Sequence, residues 1–131
     1  MTILKDSLYI LEEHTTTAGG AICRVRLNAA DAVYKAHFPG HPVTPGAVIV
    51  QMAAELLDIV VGAELEISSI GSVKFLRELS PLSAPAFTVA FTHLRRDGRS
   101  VSARAAVSAE GVQYAVMSVV CVKKLKKDTC G

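Results

Sequence analysis

The 131-residue sequence contains no tryptophan, and only 5% of its residues are aromatic. Its apolar half is therefore mostly Val, Ala, Leu and Ile, which suits a packed sheet and a buried helix. Cysteine is scarce: Cys23, Cys121 and Cys130 are an odd number without metal-type spacing, which excludes a disulfide scaffold and a zinc site. Reduced thiols in a cytoplasmic setting are the plain reading. Neither charge sign dominates, since 14 Lys and Arg face 12 Asp and Glu, for a net charge of +2. That balance argues against a nucleic-acid partner. No uninterrupted apolar run is long enough for a membrane span. The longest candidate, Ala47 to Ala63, is broken by Gln51, Glu55 and Asp58. Met1 to Glu13 carries Lys5, Asp6, Glu12 and Glu13, and so lacks the apolar stretch of a signal peptide. Repeats and low-complexity linkers are absent, and the length fits one domain over residues 1–131, with a frayed basic tail from Lys123.

The periodicity predicts strands on both sides of one helix. Ala21 to Leu27 alternates apolar and polar residues. It reads as a strand paired with Leu8 to Glu13 through a turn at Thr15 to Gly20. Asp31 to Gly46, rich in Pro and Gly, reads as a shaped loop. A helix is expected from Pro45 to about Val61, with Thr44 as N-cap, Pro45 in the first helical position and Gly62 as the stop. Apolar residues surround its axis, so it should be buried nearly all round. Gln51, Glu55 and Asp58 share one face, at spacings of four and three. Leu65 to Phe75 reads as the next strand. Phe87, Val89, Phe91 and His93 then alternate with Thr88, Ala90 and Thr92. Asp97-Gly98 and Glu110-Gly111 mark two tight hairpins, and Gln113 to Val122 is a last apolar strand. The expected class is α+β, an antiparallel sheet wrapped around one long helix. Its unpaired edge favours a dimer.

The segment with chemistry is His37-Phe38-Pro39-Gly40-His41-Pro42-Val43-Thr44-Pro45-Gly46. Prolines and glycines shape a loop that carries two histidines into a helix N-terminus. The helix dipole is positive there and the first N–H groups lack partners, so a carbonyl oxygen gaining charge can be held at Gly46. A neighbouring His can take a proton beside that carbonyl. Gln51 and Glu55 follow along the same helix, roughly 8 and 14 Å of rise from Gly46.

This segment resembles the 3-hydroxyacyl-[acyl-carrier-protein] dehydratases, whose pattern is H-F-P-G-x-P-x-x-P-G, four residues, then an acid. His37 to Gly46 fits every fixed position. Val73-Lys74-Phe75-Leu76-Arg77 is similar to a further strand of that family, and the likeness extends over roughly residues 5–123. The resemblance implies a hot-dog fold and reversible dehydration of a 3-hydroxyacyl thioester, carried on acyl-carrier protein or CoA, to a trans-2-enoyl thioester, without metal or cofactor. It implies His37 as base and the Gly46 N–H as oxyanion donor. Phe38, Val48 and Phe75 would line an acyl tunnel, and Lys74 and Arg77 are candidates for docking the carrier. His14, His41 and His93 are read as structural.

The pattern departs where the family has its acid, because this chain has Gln51, and an amide supplies no proton at neutral pH. The family often has Gln four residues later, where this chain has Glu55, so the pair reads as swapped and Glu55 is a candidate acid. Two other readings remain open. One is a hot-dog thioesterase in which Glu55 positions water. The other is a weakly active acyl-binding subunit whose acid comes from a dehydratase-like sister chain.

Overall fold

The computed structural model describes residues 4–36, 40 and 42–125. Among these residues six strands and two helices follow one another: β1 (Tyr9–Thr17), β2 (Gly20–Leu27), α1 (Ala32–Ala36), α2 (Gly46–Val61), β3 (Leu65–Phe75), β4 (Ala86–Asp97), β5 (Ser100–Ala109) and β6 (Val112–Lys123). The strands form one sheet in the order β1-β2-β4-β5-β6-β3, and every pairing is antiparallel. Helix α2 lies against one face. Its Ile49, Met52, Ala53, Leu56 and Leu57 join Val25, Val89, Phe91, Val107, Met117 and Cys121 in the core. Each Val, Leu, Ile, Met and Phe among them contributes about 1.5–3 kcal/mol by leaving water. The fold is therefore the α+β arrangement expected from the periodicity.

The helix differs from expectation in two ways. It is buried on one face rather than all round, with Val48, Val50, Ile59, Val60 and Val61 half-buried and Ala47 exposed. Its N-cap residue is Pro45, at φ −59° and ψ 146°, with no side-chain cap. Thr44 is instead drawn into the interior. Its hydroxyl shares a 2.8 Å hydrogen bond with the Tyr34 hydroxyl, and its N–H donates to Leu79 O at 2.8 Å. A buried hydroxyl needs such a partner, and Tyr34 lies too far along the chain for local capping rules to anticipate it. Gly62 ends the helix as expected, in the left-handed conformation at φ 77°.

Other boundaries move for local reasons. The first hairpin turns tightly at Ala18-Gly19, because Thr15 to Thr17 continue β1, as β-branched residues favour. Within Asp31–Gly46, residues Ala32–Ala36 form α1, capped by the Asp31 carboxylate, which accepts the Val33 N–H at 2.9 Å. The second hairpin turns at Gly98-Arg99, one residue later than expected, with Gly98 at φ 60°. Glu110-Gly111 sits where expected, with both residues at positive φ, as a type I′ turn requires. His93 leaves the predicted alternation at a bulge. It takes φ 53° and is exposed, while Thr92 pairs with Arg104 and Arg95 with Ser102.

Candidate active site at the start of the long helix

Gly46 is the first residue of α2, so its N–H is one of those that a helix cannot satisfy internally. Phe75, the last residue of β3, lays its ring against this turn. A Cβ on Gly46 would stand 2.7 Å from Phe75 Cζ and 2.8 Å from Cε2, so any larger residue would have to push the ring aside. The two residues border a cleft of about 410 Å³ with Thr44, Ile49, Arg77 and Leu79. Glycine fits beneath the ring where it lies and leaves its own backbone open to approach.

A second cleft, of about 480 Å³, runs between the Gln51 face of α2 and the start of β3. Ala47, Val50, Ala54, Leu65 and Ile67 give it apolar walls, and Gln51, Glu55 and Asp58 face it. The three polar residues share a helix face, as their spacing predicted. A larger hollow of about 590 Å³ is bordered by Glu12, Glu13, Arg24 and Arg26 on β1 and β2, and no candidate residue lines it.

Glu55 is saturated with hydrogen bonds from its own chain. Its Oε2 accepts the Leu4 N–H at 2.8 Å and Gln51 Nε2–H at 3.0 Å. Its Oε1 accepts the Lys5 N–H at 3.0 Å and the Tyr9 hydroxyl at 2.9 Å. A carboxylate offers about four acceptor positions, and four donors meet this one. Glu55 therefore fastens the N-terminal segment to α2. Tyr9, which no motif or spacing singles out, is fully buried. Burial, then the hydrogen bond to Glu55, raises its phenol well above the ordinary value. Its partner is 46 residues away, so only the fold brings the two together.

Asp58, read from the sequence as part of a wet helix face, is half-buried, and its Oδ1 is sealed from solvent without a hydrogen-bond partner. Burial pushes its carboxyl up to about 6; the charges of Glu55 and Glu64 add to this, while the Leu65 N–H and Lys124 oppose it. Burial likewise raises the Cys23 thiol to about 11 and lifts that of Cys121. Both are buried, free and poorly suited to nucleophilic work.

The other candidates are distributed unevenly. His37, Phe38, His41 and Cys130 lie outside the described residues. Val48 packs against the core and lines neither α2 cleft. Phe75 and Arg77 border the Gly46 cleft, whereas Lys74 is exposed and does not line it. His14 and His93 are exposed. Among the described residues no group of three or more His, Cys, Asp or Glu side chains could hold a metal ion. Among them, too, no helix is long and apolar enough to cross a membrane.

Residues 12–114 match the model of the ApeI-like family, described as ApeI dehydratase. A search of curated proteins gave no match. Among solved structures, the dehydratase heterocomplex ApeI:P from Xenorhabdus doucetiae is similar at TM-score 0.62 and 18% identity, over 87% of this chain and 97% of that one. A hypothetical thioesterase from Streptococcus pneumoniae TIGR4, solved with coenzyme A, is similar at TM-score 0.60 and 12% identity, over 92% and 88% of the two chains. A putative thioesterase related to phenylacetic acid degradation, from Ralstonia eutropha JMP134, follows at TM-score 0.55 and 18% identity, over 77% and 75%. These likenesses establish the hot-dog fold.

Proposed function

Because the chain belongs to the ApeI-like dehydratase family, we propose that it dehydrates 3-hydroxyacyl thioesters, carried on acyl-carrier protein or CoA, to trans-2-enoyl thioesters. The observation that carries this reading is Gly46 at the start of α2, its helix-end N–H beside a cleft bordered by Phe75 and Arg77. A thioester oxygen held at that N–H gains charge as an α-proton leaves, and the positive helix end stabilises it. His37, nine residues earlier in the same motif, is the base. Phe38 and Phe75 line the acyl path, and Arg77 with Lys74 meets the acidic carrier.

The departing 3-hydroxyl needs a proton. Gln51 has none to give, and the Glu55 carboxylate is already engaged by four donors. We infer that a dehydratase-like sister chain brings the acid, in a mixed dimer. The dehydratase heterocomplex ApeI:P is a precedent for a dehydratase assembled from unlike chains. Edge strand β3, with Ile67 and Ile70 exposed, supports pairing with such a chain or with a second copy. A pathway making a specialised lipid or polyketide fits this departure better than primary fatty-acid synthesis.

A second reading is a hot-dog acyl thioesterase. Asp58 favours it, as a helix-borne carboxyl facing an apolar cleft. One assay separates the two. Loss of ultraviolet absorbance from a trans-2-enoyl thioester, with this chain paired to an acid-bearing dehydratase-like chain and abolished by His37→Ala, supports the dehydratase. Release of thiol with the enoyl chromophore intact supports the thioesterase.

A further inference from the structure

The face of the sheet turned away from α2 holds a hollow of about 350 Å³. It crosses four neighbouring strands, from His93 and Arg95 on β4, over Ser102 and Arg104 on β5 and Ser118 on β6, to Gly71 on β3. We propose that this hollow is a binding site for a small phosphate monoester, whose phosphate sits between Arg95, Arg104 and His93. The site is separate from the Gly46 cleft and does not depend on the dehydratase reading.

Two bulges shape the hollow. Thr92 pairs with Arg104 and Arg95 with Ser102, so β4 carries two residues where β5 carries one. Of these, Leu94 packs toward the core, and His93, at φ 53°, joins the outer face. At the other end, Gly71 is the extra residue between Ile70, paired with Val119, and Ser72, paired with Ser118. Bulges bend a strand and sharpen its twist, which hollows the face between them. A Cβ at Gly71 would stand 2.8 Å from Ser118 Oγ. The glycine thus keeps that hydroxyl, which also meets the Ser72 hydroxyl at 3.3 Å, open from above. Glycine inside a strand weakens it and marks a place of close approach.

The donors indicate the ligand. Arg95 and Arg104 are diagonal neighbours across β4 and β5, within reach of each other's long side chains. Among the described residues neither has a carboxylate at ion-pair distance. On adjoining β2, by contrast, Arg24 is paired with Glu13 at 3.3 Å and Arg26 with Glu12 at 3.5 Å. His93 Nδ1 lies 3.2 Å from the Thr92 hydroxyl. When Nδ1 accepts that hydrogen bond, Nε2 carries the ring hydrogen and donates it outward. Two guanidinium forks and an imidazole N–H exceed what the two oxygens of a carboxylate can engage in one plane, whereas a phosphate monoester offers three oxygens. Ser102 and Ser118 offer hydroxyls to the rest of the molecule. The size of the hollow fits a small molecule rather than a nucleic acid, for which a net charge of +2 is low.

The test is calorimetric titration of phenyl phosphate and of inorganic phosphate into the whole chain at constant ionic strength. Phenyl phosphate should saturate one site and bind about threefold more tightly than inorganic phosphate, because its ring also leaves water. Arg95→Gln and Arg104→Gln should each weaken it about tenfold, the scale of one lost charged hydrogen bond. Arg24→Gln removes the same charge from the same face, but from an arginine already paired, and should change binding less than about twofold. An Arg24→Gln effect as large as that of Arg104→Gln would reduce the binding to general attraction and overturn the proposal. So would the absence of saturable binding up to about 10 mM phenyl phosphate, or inorganic phosphate binding as tightly as the ester. Should an arginine variant fail to fold, backbone-amide NMR of the wild type decides. Phenyl phosphate should shift the signals of Gly71, His93, Arg95 and Ser118. Shifts centred on Gly46 and Ile49 would place the anion at the start of α2 instead and overturn the proposal.

Discussion

The ring of Phe75 covers the Cα of Gly46, so closely that a methyl group at position 46 would lie 2.7 Å from its Cζ. The last residue of β3 and the first residue of α2 therefore depend on each other. The ring gives the cleft an apolar rim, and the glycine gives the ring its seat.

Gly46→Ala should destabilise the chain by about 1–3 kcal/mol in a denaturant titration, unless the ring swings outward. Phe75 is 51% exposed, which gives it room to move, so the lower end is expected. Combining Gly46→Ala with Phe75→Ala should recover stability relative to the sum of the single changes, with a coupling of about 1 kcal/mol. Simple additivity would show that the contact carries no energy.

Tyr9→Phe removes one of the four donors on Glu55 and keeps the ring in the core. A bond to a charged acceptor is worth about 1.5–3 kcal/mol when buried, and Glu55 is only half-buried, so about 1–2 kcal/mol should be lost. Equilibrium unfolding in urea measures it. An unchanged midpoint would remove the clamp at this point.

Asp58 should make stability fall as pH rises from about 4 to 6. Its folded carboxyl is raised to about 6 from an ordinary value of 3.8, so the folded state holds the proton more tightly than the unfolded state does. Below that window both states are protonated and nothing is lost. Above it, the folded chain carries a disfavoured charge. Asp58→Asn should therefore be more stable than wild type at pH 7, with the margin shrinking toward pH 4. A margin independent of pH would contradict this.

Much of the frame was legible in the sequence because it is written locally. Alternation marked β2 and the first half of β4, Gly62 marked the end of α2, and Glu110-Gly111 marked a turn that needs two positive φ values. The misplacements came from bonds between distant residues or from small local choices. Thr44 has a suitable capping side chain, yet bonds Tyr34 with it. The strand pattern placed His93 on the inner face until a bulge turned it outward. The site divided in the same way. Gln51, Glu55 and Asp58 share a face because helical spacing demands it. That Glu55 is occupied by Leu4, Lys5 and Tyr9 depends on contacts about 50 residues apart, which no spacing rule contains.

The most direct measurement is the rate at which Gln51→Glu hydrates a trans-2-enoyl thioester, beside wild type and Gln51→Glu/His37→Ala. The substitution returns a carboxyl to the position where the dehydratase pattern has one. The neighbouring Glu55 charge would help it keep its proton near neutral pH. A general acid contributes about 10²–10⁴-fold, so the expected result is a gain of roughly 10²-fold over wild type, lost when His37 is also replaced. A Gln51→Glu chain no faster than wild type, or one equally active without His37, would contradict a dehydratase whose own helix lacks only the acid.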